Sequence, residues 1–147
     1  MREVAHPNIT DNQVLIKVKA VSLNAADYRS IKMGIVPNGR IMGSDVTGEI
    51  VAIGKSVTKF ATGDTVVGDL SGSGFGGLAE YVAAPENALV HIPPSVSYET
   101  AAALPMASVT SLQALVNVGK VQAGQKVLIC GAGGGVGLAA ATGGAGG

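Results

Sequence analysis

The stretch from Lys126 to Ala141, KVLICGAGGGVGLAAA, sets a short apolar run directly before a cluster of glycines and then turns to helix-favouring residues. Glycines at such a junction could bind the pyrophosphate of a dinucleotide. That task needs one glycine for a tight turn, a second that lets main-chain N–H groups approach the phosphates, and a third for close packing of helix on strand. Ala132, Gly134 and Gly137 stand at those offsets, with alanine in the first place and neighbouring Gly133 able to relieve the turn. The amides of Gly134, Gly135 and Val136 would then lie at a helix N-terminus, where unpaired N–H groups and the helix dipole favour an anion. The same letters fit a plain glycine-rich turn, and only the flanking strand and helix can decide between the two.

Those flanking elements are partly legible. Residues 126–130 read as a strand, and LAAATGGAGG starts as a helix that the following glycines should fray, each costing about 1 kcal/mol relative to alanine. A carboxylate to grip the ribose of NAD, about 20 residues beyond the first glycine position, would fall past Gly147. The expectation is therefore a turn that cradles pyrophosphate without enclosing the whole ligand. Val127, Leu128 and Ile129 are continuous apolar residues, as in a parallel strand covered on both faces, and no second parallel strand is visible. Poor order after Val121, or association through that edge, is the expected consequence.

Upstream, QVLIKVKAVSL alternates at Val14, Ile16, Val18 and Ala20, the period of a strand with one buried face. NAADYRSIKMG then starts at a possible Asn24 cap and closes on Gly34, predicting a helix of two or three turns. VTGEIVAIGKSV and DTVVGDL are strand-like and flank a turn at Gly63 and Asp64, predicting a hairpin. GGLAEYVAAPENALVHIPP adds two short strands, ended by Pro93 and Pro94, which cannot donate to a ladder. SYETAAALPMASVTSLQALVNV places Ala101, Leu104, Leu112, Leu115 and Val116 at helical spacings, and Pro105 divides it into two helices. The prediction is a mainly β domain over 1–94, then helices and the start of an α/β unit over 95–147. The SGSGFGG run, with Gly74, Gly76 and Gly77, sits between strands and reads as a loop and not a phosphate site.

Bulk composition narrows the function classes. The 147 residues hold 10 basic and 10 acidic side chains with no basic cluster, which argues against a nucleic-acid partner. Apolar residues make up 47% and charged residues 14%, as in a globular domain, while 22 glycines are about twice the usual share of roughly 7%. The single Cys130 cannot form a disulfide framework and reads as a small buried hydrophobe in a reducing compartment. No 18-residue apolar stretch and no signal-like N-terminus are present, so the expectation is a cytoplasmic protein without a membrane partner.

Taken together, VSLNAADYR, GSDVTGEIVAIGKSVTKFATGDTVVGDL, GFGGLAEYV, AAALPMASVTSLQAL and GQKVLICGAGGGVG resemble, in order and spacing, the medium-chain dehydrogenase/reductase superfamily. The similarity, from about Glu3 to Ala140, is to its zinc-independent, quinone oxidoreductase-like branch. It implies a GroES-like β-barrel catalytic domain, followed by the first β-turn-α of a Rossmann domain that binds NADP or NAD, with NADPH favoured. It also implies hydride transfer to a quinone, enone or other small carbonyl compound. Family members often form homodimers. They normally have further strands upstream and most of a Rossmann sheet downstream, so this chain is expected to be a fragment truncated at both ends and inactive alone.

A catalytic zinc needs three protein ligands and an open position. In zinc-dependent relatives these are Cys, His and Cys, and the resemblance aligns them with Asn24, Ser44 and Met106, none a credible ligand. His6 and His91 lie outside the motifs, and no metal is expected. The chemistry would then fall to the cofactor, with the protein supplying position, hydrogen bonds and exclusion of water. Through the family motif Asn24 could donate to nicotinamide or substrate, and Tyr28, one turn along the same helix, could supply a phenolic proton. Alternatively Asn24 only caps its helix and Tyr28 only packs at the surface. Thr110 is similar to a family position beside nicotinamide and phosphates. Asp27 reads as a support for local backbone and Asp45 as structural. A different class of function, a non-enzymatic β-barrel binding or assembly module, also fits the chain.

Overall fold

The computed structural model describes residues 3–36 and 39–143. Strand β1 runs Gln13–Ser22, followed by helix α1, Ala25–Lys32. Strands β2 (Asp45–Ile53) and β3 (Thr65–Asp69) form the expected hairpin, and β4 (Tyr81–Pro85) and β5 (Leu89–His91) complete a five-stranded sheet. Its order is β4-β1-β2-β3-β5, with every ladder antiparallel. The ladders among the described residues thus leave β4 and β5 as edges and do not close a ring.

Period-two alternation in β1 does what it should: Val14 and Ile16 are fully buried, while Lys17 and Lys19 face water. With Val46, Ile50, Val66 and Leu70 they form an apolar core whose side chains are fully buried. Each such aliphatic residue contributes about 1.5–3 kcal/mol of transfer free energy relative to exposure. The β1–β2 ladder slips between Leu15 and Ile16 and again between Val18 and Ala20. Bulges of this kind bend the strand and re-aim its end. Here they bring Ser22 opposite Asp45.

Two helices flank Pro105 as the proline required: α2, Tyr98–Ala102, and α3, Pro105–Leu112, with the proline in the first turn where its missing N–H costs nothing. Two compact units divide between Ala103 and Leu104. The division falls later than the expected boundary after Pro94 because α2 belongs to the β unit, where the Thr47 hydroxyl reaches the Tyr98 carbonyl at 3.1 Å.

The second unit departs from expectation in three ways. Gln113–Val118 is a π-helical turn and not regular helix, with Gly119 N–H donating to the Ala114 carbonyl five residues back. Leu112 and Val116, which stand at helical spacing, are exposed, whereas Ser111 is buried. Residues 125–129 join no ladder, because an extended segment becomes a strand only beside a partner and none exists among the described residues of this unit. Cys130, expected buried, is exposed at the start of the glycine turn. The turn itself and helix α4, Gly135–Gly143, are present, so of the expected β-turn-α only the last two parts are formed. No helix among the described residues is long and apolar enough to cross a membrane.

Candidate functional site

In the β unit, the sequence-selected Asn24 sits at the N-cap of α1 with extended backbone (φ −112°, ψ 159°). Its main-chain N–H donates to Asp27 Oδ2 at 2.7 Å, and the Asp27 N–H returns to the Asn24 main-chain carbonyl at 3.0 Å. The other oxygen of Asp27 accepts the Gly43 N–H at 3.1 Å. One carboxylate, only 4% exposed, therefore ties the start of α1 to the turn before β2. Asp27 supports backbone as expected, but over a longer span than its own helix.

The Asn24 carboxamide points into a polar cluster. Nδ2 lies 3.0 Å from Asp45 Oδ2, 3.3 Å from Ser22 Oγ and 3.4 Å from Ser44 Oγ. Ser22 also donates its hydroxyl to Asp45 Oδ2 at 2.9 Å. Ser44 and Asp45 are buried and Asn24 is half-buried. Two sequence-selected positions, Asn24 and Ser44, are thus brought together. Ser22 carried no sequence signal, since a serine at a strand end reads as surface, and only the β1–β2 register reveals it. Among the described residues, no three of His, Cys, Asp and Glu cluster as a metal would require.

Tyr28 lies one turn further along α1, 59% exposed, with the Arg29 guanidinium carbon 5.9 Å from its ring centre. It is not a partner in the hydrogen bonds of Asn24. His6 stacks obliquely on Tyr81, and His91 stands 4.0 Å from Asp64 and against Phe60. Neither histidine belongs to the Asn24 cluster.

In the second unit, Gly131 adopts φ +76°, which suits glycine, and the Gly134 N–H donates back to its carbonyl at 3.0 Å. The Gly134 amide, expected to face a phosphate, is therefore spent inside the turn. The α4 ladder begins with Leu138 N–H to Gly134 carbonyl, so the first-turn amides of Gly135, Val136 and Gly137 have no acceptor within the helix. At Gly137 a Cβ would collide with the Gly131 carbonyl oxygen and stand 2.7 Å from Ala132 Cα. The absence of a side chain at Gly137 thus lets α4 start close against the turn backbone. Cβ atoms at Gly131 and Gly133 would meet open space, so the outer side of the turn is accessible to a ligand. Ala107 of α3 approaches Gly135, and Thr110, on the same helix, is exposed. Met106 is the second residue of α3 and half-buried.

The chain belongs to the alcohol dehydrogenase GroES-like domain family, whose model matches residues 10–94. Within the medium-chain dehydrogenase/reductase superfamily its relatives are quinone oxidoreductase-like. It is 41% identical to the chloroplastic quinone-oxidoreductase homolog of Spinacia oleracea, over 92% of this chain and 44% of that protein. Its fold is similar to the quinone oxidoreductase from Coxiella burnetii, with a TM-score of 0.86 and 33% identity over 97% of this chain and 47% of that one. A mycobacterial relative, solved in complex with NADPH, gives a TM-score of 0.82 at 29% identity over 95% of this chain and 43% of that one. The chain spans less than half the length of each.

Proposed function

We propose that the protein carrying this chain is an NAD(P)H-dependent, zinc-independent oxidoreductase that reduces a quinone, enone or other small carbonyl compound. The observation that carries this reading is the chemistry at Asn24 and Ser44, set in a chain 41% identical to a quinone-oxidoreductase homolog. An amide nitrogen bearing two hydrogens and directed at a hydroxyl and a carboxylate is a donor and no ligand for zinc. The thioether of Met106 suits soft metals better than a zinc site built from amide and hydroxyl.

A bound nicotinamide dinucleotide would supply the hydride. The residues of this chain that fit it are the first-turn amides of Gly135, Val136 and Gly137, with Gly131 and Gly133 giving the turn its shape and open outer side. Thr110 can add a hydroxyl. In the β unit the Asn24 cluster supplies a fixed polar group, and Tyr28 a phenol exposed enough to reach solvent protons.

The test is NADPH binding and quinone-dependent NADPH oxidation by the full-length protein. Turnover that persists after exhaustive chelation is expected; no binding at millimolar NADPH would end the proposal. A non-enzymatic β module would instead melt at the same temperature with and without NADPH. A binder at 100 times its dissociation constant gains about 2.7 kcal/mol.

A further inference from the structure

Asn24 has two amide hydrogens and three oxygens within reach of the nitrogen that bears them: Asp45 Oδ2, Ser22 Oγ and Ser44 Oγ. Two donors, the Asn24 amide and the Ser22 hydroxyl, converge on the one Asp45 oxygen, at 3.0 and 2.9 Å. Asp45 is 1% exposed. Turning the carboxamide round would set its carbonyl oxygen against that accepting oxygen, so the amino end is held inward. The donor capacity of Asn24 is then spent inside the protein. Its Oδ1 makes no side-chain cap bond, the Asp27 N–H going to the Asn24 main-chain carbonyl, and an amide oxygen has two lone pairs to offer a ligand.

We propose that Asp45 is a positioning residue that sets the polarity of Asn24, so that this site presents a hydrogen-bond acceptor and takes a ligand hydroxyl. The inference rests on the reading of Asn24 as ligand-facing, and it reverses the donor role that the sequence suggests for that residue. Hydroxyls of this kind occur on the ribose of a nicotinamide nucleotide and on the reduced form of a quinone. A quinone carbonyl, itself an acceptor, would not pair with Asn24 directly.

The experiment uses the full-length protein, Asp45→Asn, and the exchange Asn24→Asp with Asp45→Asn. The exchange keeps an inner donor–acceptor bond and an outward acceptor. Binding is measured for NADPH and 1,4-hydroquinone, with 1,4-benzoquinone as the probe that lacks O–H groups. Asp45→Asn should weaken one hydroxyl-bearing probe by about tenfold, one hydrogen bond's worth, and leave benzoquinone unchanged. Loss on NADPH identifies the ribose, and loss on hydroquinone the reduced product. The exchange should restore binding to within about threefold of the unaltered protein. An exchange pair as weak as Asp45→Asn, or an equal loss on benzoquinone, overturns the proposal. Failure of either probe to bind the unaltered protein counts against the proposed function, and a second measurement then decides this inference. With asparagine labelled in 15N, the Asn24 side-chain amide should be protected from solvent exchange and move on Asp45→Asn substitution. An amide pair exchanging as freely as an exposed one refutes the inference, whatever the variants do.

Discussion

The two units differ in what they do with apolar residues. In the β unit Val14, Ile16, Val46, Ile50, Val66 and Leu70 are all fully buried. In the second, Leu128 is 89% exposed, Val118 82% and Leu112 61%, and among its described residues the buried ones are the small Ser111, Gly137 and Ala140. Both stretches look equally hydrophobic as text. What separates them is that β1, β2 and β3 supply one another with a face to cover, whereas residues 125–129 have no partner strand among the described residues. Hydrophobic content therefore measures the demand for a core, and topology decides whether it is met.

The largest expected effect tests that contrast directly. Ile50→Ala should destabilise the β unit by about 2–5 kcal/mol in urea unfolding. Leu128→Ala, a comparable truncation, should change stability by less than about 0.5 kcal/mol. Equal losses would mean that the second unit has a core of its own.

Glycines sharpen the comparison at smaller magnitude. A Cβ at Gly48 of β2 would collide with the Lys17 carbonyl oxygen and stand 2.7 Å from Ile16 Cγ2, so Gly48→Ala should cost about 1–3 kcal/mol. Gly133→Ala meets open space and should be near neutral, both variants being read by urea unfolding. Ser97 comes next. Its hydroxyl accepts the Thr100 N–H at 3.2 Å at the N-cap of α2, and Ser97→Ala should lower stability by about 0.5–2 kcal/mol.

The smallest effect is a pH dependence confined to the β unit. The Thr58 and Lys59 N–H groups both donate to Glu86 and hold its carboxyl below the ordinary glutamate range. A lowered acid contributes stability that is fully present above its unfolded value and is lost as pH falls through the folded one. Glu86→Gln should therefore lower the melting temperature slightly at neutral pH, with the difference from the unaltered protein closing as pH falls below the ordinary glutamate range, so that the acid decline is flatter. An unchanged acid limb would show that those two bonds do not favour the ionised form.

Much of the β unit was legible because its rules are local. Alternation in β1, the turn at Gly63 and Asp64, and the break at Pro105 each follow from the residues beside them. Asn24 and Asp27 were legible too, as a cap and its N3 carboxylate. Ser22 was not, and the reason is physical: its partnership with Asp45 depends on two register slips in the β1–β2 ladder that no residue type announces. Exposure of Leu112 and Val116 was equally hidden, since periodicity marks which residues share a helix face and is silent on whether anything lies against it. The π-helical turn over Gln113–Val118 has no recognisable residue signature in this chain.

The Asp27 carboxylate, by holding Asn24 and Gly43 at once, also decouples the ends of a loop from its contents. Gly43 is secured independently, its carbonyl accepting the Gly77 N–H at 2.9 Å. Insertions or deletions between α1 and β2 should therefore leave the positions of residues 24 and 44 unchanged, at an entropic cost of only about 0.6 kcal/mol per doubling of length. A fold stapled in this way can vary that loop freely while its polar cluster stays in register, which makes the stretch after Gly34 a natural place for relatives to diverge.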